Sequence, residues 1–188
     1  MRIGFIVQGS TDSAFIEGLK GRWCKHATLE SLGYRGSKLR PRDYSKACKE
    51  AWHKGCDVVV ILTDSDNEHL NPVYKAEKSH LDAEVEHYVV LGVAVRNIEC
   101  WICANPEYIA QGYPCDPDDL RVDDPKSAFQ TALGITKYEK KEEEIALLVC
   151  NYPSLKPMLQ KPSFKRFYDE ATDFAQRNDC QIPNEMDN

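Results

Sequence analysis

No stretch of this 188-residue chain approaches the roughly 18 consecutive apolar residues that a membrane-spanning helix needs, so no membrane partner is expected. Basic charge is not in excess. Lys and Arg number 24 against 30 Asp and Glu, a net charge of −6, which argues against a protein that coats nucleic acid through bulk charge. A local basic stripe can still steer a polyanion while an acidic cluster holds metal. There is no glycine-rich phosphate loop, no internal repeat and no low-complexity segment. The five histidines, His26, His53, His69, His80 and His87, show no zinc-like pairing. Cys100-Trp-Ile-Cys103 lacks a second cysteine pair at comparable spacing, so it reads as two thiols on a buried helix and not as a zinc site. The opening MRIGFIVQG carries one charge and a five-residue apolar run, unlike a secretion signal. The eight scattered cysteines are therefore expected to be free thiols in a reducing cytoplasm.

What is present is an ordinary globular mix, 42% apolar and 29% charged, in a chain long enough to bury a core. Residues 2–8 read as a short buried strand, and residues 58–62 form a continuous aliphatic run of the kind covered on both faces in a parallel sheet. Residues 87–95 read as another buried strand. Between them, SAFIEGLKGRWC (13–24), DYSKACKEAWHKGC (43–56) and LNPVYKAEKSHLDAEVE (70–86) carry helical spacing, and IECWICANPEYIA (98–110) opens a helix after the last strand. Ser10, Thr11 and Asp12 are each suited to capping the first helix. Residues 27–40 hold a short strand or a loop. The alternation predicts an α/β fold with a parallel-rich sheet flanked by helices. Residues 1–112 form this core. Residues 113–188 are expected as a helical C-terminal extension packed on it, beginning with the Pro- and Asp-rich loop 112–126. The charge-dense run 137–144 reads as a solvated helix face.

Ligands of open α/β sheets sit at the carboxyl ends of the strands. The first strand delivers Gln8, Gly9 and Asp12; the second aliphatic strand delivers Asp64 and Asp66; the next delivers Arg96, Asn97 and Glu99. Carboxylates gathered at one edge repel unless cations neutralise them, and an oxygen-rich set suits Mg²⁺ or Mn²⁺. If the strand stays extended past its tip, Asp64 and Asp66 face the same side and can share one ion. Each acid also has a plainer reading. Asp64 and Asp66 serve equally as turn formers, Asp12 as a helix cap, and Glu99 as a complement to a helix dipole. The basic run YRGSKLRPR (34–42) is the best candidate for phosphate contacts, with KPSFKRFY (161–168) as a second. A solvated loop and a core-facing aromatic stripe explain these two as well.

VQGSTD (7–12), TDSD (63–66), IECW (98–101), DPK (124–126) and KPSFKRF (161–167) occur in an order that resembles a TOPRIM domain. The closer likeness is to the TOPRIM-like proteins of overcoming-lysogenization-defect (OLD) nucleases, and to a related uncharacterised family found among bacterial defence genes. It covers about residues 1–170. The resemblance implies an Mg²⁺- or Mn²⁺-dependent nuclease acting on nucleic acid, in anti-phage defence and beside a partner ATPase. Asp64 and Asp66 match its metal-binding D-x-D pair, Asp12 and Glu99 match further acidic ligands, and Lys126 matches a lysine suited to neutralising phosphate. Gln8 stands where the family carries the strand-tip Glu that serves as general acid/base. An amide cannot take a proton near neutral pH. An engineered inactive variant, a natural binding module without catalysis, and cleavage that uses Asp12, Glu99 and metal without an acid at position 8 all remain open. A Mg²⁺-binding phosphotransfer or nucleotide-binding domain is a further alternative.

Overall fold

The computed structural model describes residues 1–34, 39–66, 69–178 and 180. Four strands form one all-parallel sheet: β1 (Arg2–Val7), β2 (Thr28–Tyr34), β3 (Val58–Asp64) and β4 (Val89–Ala94), in the order β2-β1-β3-β4. Ile3 of β1 pairs with Val58 of β3, and Val59 of β3 with Val89 of β4, each register then running on residue by residue. β1 and β3 are buried on both faces, as their unbroken aliphatic runs require in a parallel sheet. Chain order reverses between these two central strands, since β1 leads outward to β2 and β3 outward to β4. The crevice at the carboxyl ends of β1 and β3 is therefore the switch point at which such sheets bind ligands.

Three helices follow the strands within the sheet region: α1 (Ser10–Trp23), α2 (Tyr44–His53) and α3 (Leu70–Lys78). The single helix expected over 70–86 is two pieces, because the chain turns at 79–82. Asp82, in extended conformation and held through its N–H by Ser45 Oγ at 2.7 Å, starts the short α4 (Ala83–Glu86). The helix expected over 98–110 also divides, into α5 (Glu99–Ile102) and α6 (Pro106–Gly112). Asn105 takes the N-cap between them, its side chain accepting from the Tyr108 N–H at 3.2 Å with Pro106 at the next position. The Pro- and Asp-rich loop contains a turn of helix, α7 (Pro117–Leu120), capped by Asp116. Then come α8 (Lys126–Leu133), α9 (Glu142–Cys150), α10 (Lys156–Leu159) and α11 (Pro162–Arg177).

The C-terminal helices pack directly on the sheet layer. Trp101, 1% exposed, sits among Phe15, Phe164 and Phe167 with ring centroids 5.3–5.7 Å away, so α1, α5 and α11 share one aromatic cluster. Its indole N–H donates to Ser163 Oγ at 2.8 Å, which satisfies the one polar atom of the ring. Gly92 lets α11 press on β4: a Cβ there would lie 2.9 Å from Phe167 Cδ2 and 2.6 Å from Leu62 Cδ1. Gly18 does the same between α1 and α9, where a Cβ would lie 2.6 Å from both the Ala146 carbonyl oxygen and Val149 Cβ. Gly21, one turn further along α1, faces Cys150. The two helices thus lie side by side in the same sense, and their first turns share one end.

The cysteines depart from expectation in one pair. Cys24, at the end of α1, and Cys180, after α11, form a disulfide with Cα atoms 5.5 Å apart, because the packing of α11 against the sheet brings the two segments together. The other six are free thiols. Among the described residues, no helix is long and apolar enough to cross a membrane.

Candidate functional site

β1 ends at Val7, so Gln8 is the first residue past its tip, and its Nε2 donates to Thr63 Oγ1 at 2.8 Å across the switch point. Gly9 then takes the N-cap of α1. Asp12 lies in the first turn, where its Oδ2 accepts the Gly9 N–H at 2.7 Å. The N-cap therefore falls at Gly9, one residue before Ser10, the first of the expected caps, and Asp12 stabilises that start from inside. Its other oxygen, Oδ1, is buried and has no hydrogen-bond partner. Asp64 closes β3. Glu99 is the first residue of α5, 1% exposed, with Oε2 buried and lacking a hydrogen bond. Lys126, the first residue of α8, places its Nζ 4.0 Å from that oxygen.

Gln8, Asp12, Asp64, Glu99 and Lys126 all line one cleft of about 580 Å³ at the carboxyl edge of the sheet. The first residues of α1, α8 and α9 line it too, so three helix N-termini open on the same space. The unpaired N–H groups there favour negative charge. Even so, the acids are strained electrostatically. Burial raises the Asp12 carboxyl to about 6, partly offset by the Gly9 N–H. Burial, followed by the charges of Asp12 and Glu99, raises Asp64 to about 8. Burial also raises Glu99, and the Lys126 ammonium opposes it. With every carboxyl ionised the cleft would carry more negative charge than its lysines offset, which together with burial is why Asp64 keeps its proton near neutral pH.

Asp66 is not brought into this cleft. β3 stops at Asp64, and Asp66 is exposed with φ +51°, a left-handed conformation that breaks the extension needed for i and i+2 to face one way. The break is tied to β4: the Asp66 N–H donates to the Arg96 carbonyl at 3.0 Å, and the Arg96 N–H donates to Ser65 Oγ at 3.1 Å. Of the basic run 34–42, Arg35 and Lys38 lie outside the described residues, and Arg40 and Arg42 do not line the cleft. Lys161 lines a separate cleft with Arg96. The expected aromatic stripe, Phe164, Phe167 and Tyr168, is buried.

Three polar lining residues were not site candidates from the sequence: Gln130, Lys140 and Glu142. The charge-dense run is not one helix face. α9 begins only at Glu142, after Lys141 with φ +55°, and the residues before it turn along the cleft wall. Spacing does not reveal this, because it depends on α9 lying against α1 where Gly18 permits it.

The chemistry of the donor set suits a divalent cation, being all oxygen and including two buried oxygens without donors, Asp12 Oδ1 and Glu99 Oε2. Among the described residues, no group of three or more His, Cys, Asp or Glu could hold a metal ion as the side chains stand.

No protein-family model matches this sequence, and no curated protein matches it. Among solved structures, the C-terminal region of the Burkholderia pseudomallei OLD protein is similar to it, with a TM-score of 0.44 and 14% identity over 93% of this chain and 98% of that one. A likeness of that degree carries no argument about the site, which rests on the residues themselves.

Proposed function

We propose that this chain is a divalent-cation-dependent phosphodiester hydrolase of the nuclease type, with nucleic acid as its substrate. The observation that carries the reading is the pair of buried carboxylates, Asp12 and Glu99, each with an oxygen lacking a hydrogen-bond donor, beside Asp64 in one cleft. Buried acceptors are rarely left unsatisfied unless something else fills the need. Asp12, Asp64 and Glu99 would hold Mg²⁺ or Mn²⁺. Asp66, outside the cleft, is assigned no ligand role. When bound, the cation supplies charge neutralisation and Lewis-acid polarisation of a phosphoryl oxygen. Lys126 meets the phosphate charge from the cleft wall. The N-termini of α1, α8 and α9 offer N–H groups to the same anion. Gln8 orients by hydrogen bonding and moves no proton. By resemblance, the proposal extends to anti-phage defence beside a partner ATPase.

The second reading, a catalytically silent module that binds and does not cleave, is favoured by one observation: the amide of Gln8 is engaged with Thr63 and cannot act as a base. Nicking of supercoiled plasmid in Mg²⁺ or Mn²⁺ separates the two. Cleavage by the chain, increased in Gln8→Glu, is expected. If both proteins are equally inert while Mn²⁺ still binds, the silent module is the correct reading.

A further inference from the structure

We propose that Asn97 and Asp124 are positioning residues that set Lys126 in the cleft. The inference rests on reading this cleft as a phosphodiester site. Lys126 follows the strap of residues 123–125, and the chain leaving β4 grips that strap at three successive points. Arg96 Nη2 lies 3.5 Å from Asp123 Oδ2. Asn97, 6% exposed, donates from Nδ2 to Asp124 Oδ1 at 2.8 Å. The Cys100 thiol donates to Asn97 Oδ1 at 3.4 Å and reaches the Asp123 carbonyl at 3.5 Å.

The Asp124 carboxylate, which only accepts, fixes which way the Asn97 amide faces, and the thiol contact matches that orientation. With its oxygen taken by Cys100, the NH₂ group is presented to Asp124. Asp124 Oδ1 in turn accepts the Lys126 N–H at 3.3 Å, in the first turn of α8. One carboxylate oxygen therefore joins the exit of β4 to the start of α8. Asn97 is two residues before Glu99, so the acid and its cation stand on segments tied by this bond. Without it, apart from the buried Pro125, the strap keeps the longer, solvent-facing Arg96–Asp123 pair and a weak thiol contact to hold Lys126 within 4.0 Å of Glu99. The strap also takes its direction from a left-handed residue, Arg96 at φ +67°, locked by Ser65 and Asp66.

The test compares Asn97→Ala, Asp124→Ala, Asp124→Asn and Lys126→Met, alone and combined with Lys126→Met. Binding of a fluorescein-labelled single-stranded DNA octamer is measured by anisotropy in Ca²⁺, and Mn²⁺ binding by calorimetry. Lys126→Met is expected to weaken octamer binding by about tenfold, the scale of one charge-assisted hydrogen bond. Asn97→Ala and Asp124→Ala should reproduce most of that loss and add nothing to Lys126→Met. Asp124→Asn keeps an acceptor oxygen and should bind like the unmodified chain. The proposal is overturned if the losses add, if Asp124→Asn fails like Asp124→Ala, or if only Lys126→Met weakens binding. Hydrogen exchange at the first turn of α8 gives an answer even if no octamer binds: faster exchange in Asn97→Ala and Asp124→Ala supports the brace, and unchanged exchange overturns it. Absence of both octamer and Mn²⁺ binding in the unmodified chain would instead defeat the phosphodiester reading itself.

Discussion

Proton competition should make metal binding steeply pH-dependent. Asp64 is raised from 3.8 to about 8 and Asp12 from 3.8 to about 6. A cation that takes both carboxylates must displace whatever protons they hold. At pH 6 nearly all Asp64 and half of Asp12 are protonated; at pH 8.5 Asp12 is ionised and Asp64 mostly so. Asp64 then contributes a factor of about 80 and Asp12 about 2, so the apparent Kd for Mg²⁺ or Mn²⁺ should fall about 150-fold between those pH values. Below pH 6 two protons should leave per ion bound, and between 6 and 8 about one. The same protons govern stability without metal. A carboxyl whose folded pKa is raised binds its proton more tightly folded than unfolded. Its contribution to stability is therefore largest in acid and is lost as pH rises from about 4, the unfolded value, through about 8. Saturating cation should reverse that loss: at 100 times Kd it adds about 2.7 kcal/mol, or roughly 5–11 °C in Tm for a chain of this size. Calorimetric titration at several pH values, with buffers of different ionisation enthalpy to count protons, measures the first effect; thermal melts with and without cation measure the second. A Kd independent of pH, or one that rises with pH, would refute the coupling of Asp64 and Asp12 to the ion.

Further outcomes follow from single contacts. Glu99→Gln removes a buried charge whose lysine partner lies 4.0 Å away, so the Tm of the metal-free protein should rise by a few degrees while the cation-induced rise disappears. Gly18→Ala gains about 1 kcal/mol of helix propensity but forces a Cβ against the Ala146 carbonyl oxygen at 2.6 Å; overpacking on that scale costs about 1–3 kcal/mol, so urea unfolding should show a net loss. Because Gly18 also sets α9 against α1, the same variant should weaken cation binding if α9 helps to shape the cleft. Ser163→Ala leaves the Trp101 N–H buried without an acceptor and should cost about 1–3 kcal/mol, measured by the same denaturation.

The sheet was legible because its strands obey a simple rule. A strand covered on both faces must be apolar throughout, and residues 3–7 and 58–62 read so directly. β2 was less legible because it carries no unbroken apolar run: Thr28, Glu30 and Ser31 stand among Leu29 and Leu32, and Gly33 interrupts the strand. Helix breaks were harder. Nothing in LNPVYKAEKSHLDAEVE stops a helix by composition alone; the break needs Ser45, 37 residues earlier, to hold the Asp82 N–H. A tertiary partner decided a local conformation, as it often does where propensity is weak. The disulfide was missed for the same kind of reason, since 156 residues separate its cysteines and only the fold brings them together.

The site divides along the same line. Gln8, Asp12, Asp64 and Glu99 could be placed at one edge because each lies at a strand end or in the first turn of the helix after it, whereas Lys126, which follows a long loop, was matched only through the family resemblance. Asp66 could not, since its place depended on an extension that hydrogen bonds from the β4 exit prevent. Lys140 and Glu142 arrive through helix packing that no local pattern encodes. The consequence bears on Gln8 itself. A glutamate there would put a fourth carboxylate among three that burial, and for Asp12 and Asp64 also neighbouring carboxylates, already hold above their ordinary pKa values. It would also meet a Thr63 hydroxyl that already donates to the Asp64 carbonyl, at 3.3 Å, and would have to turn that donor toward itself. The amide instead donates to Thr63 and adds no charge. In the metal-free protein, Gln8 is therefore the more stable residue at this tip, and the advantage of a glutamate appears only when a cation is present to neutralise it. Comparing the Tm of the chain and of Gln8→Glu at pH 8 should show Gln8→Glu lower without cation and more responsive to it; equal responses would mean that position 8 lies outside the reach of any bound ion.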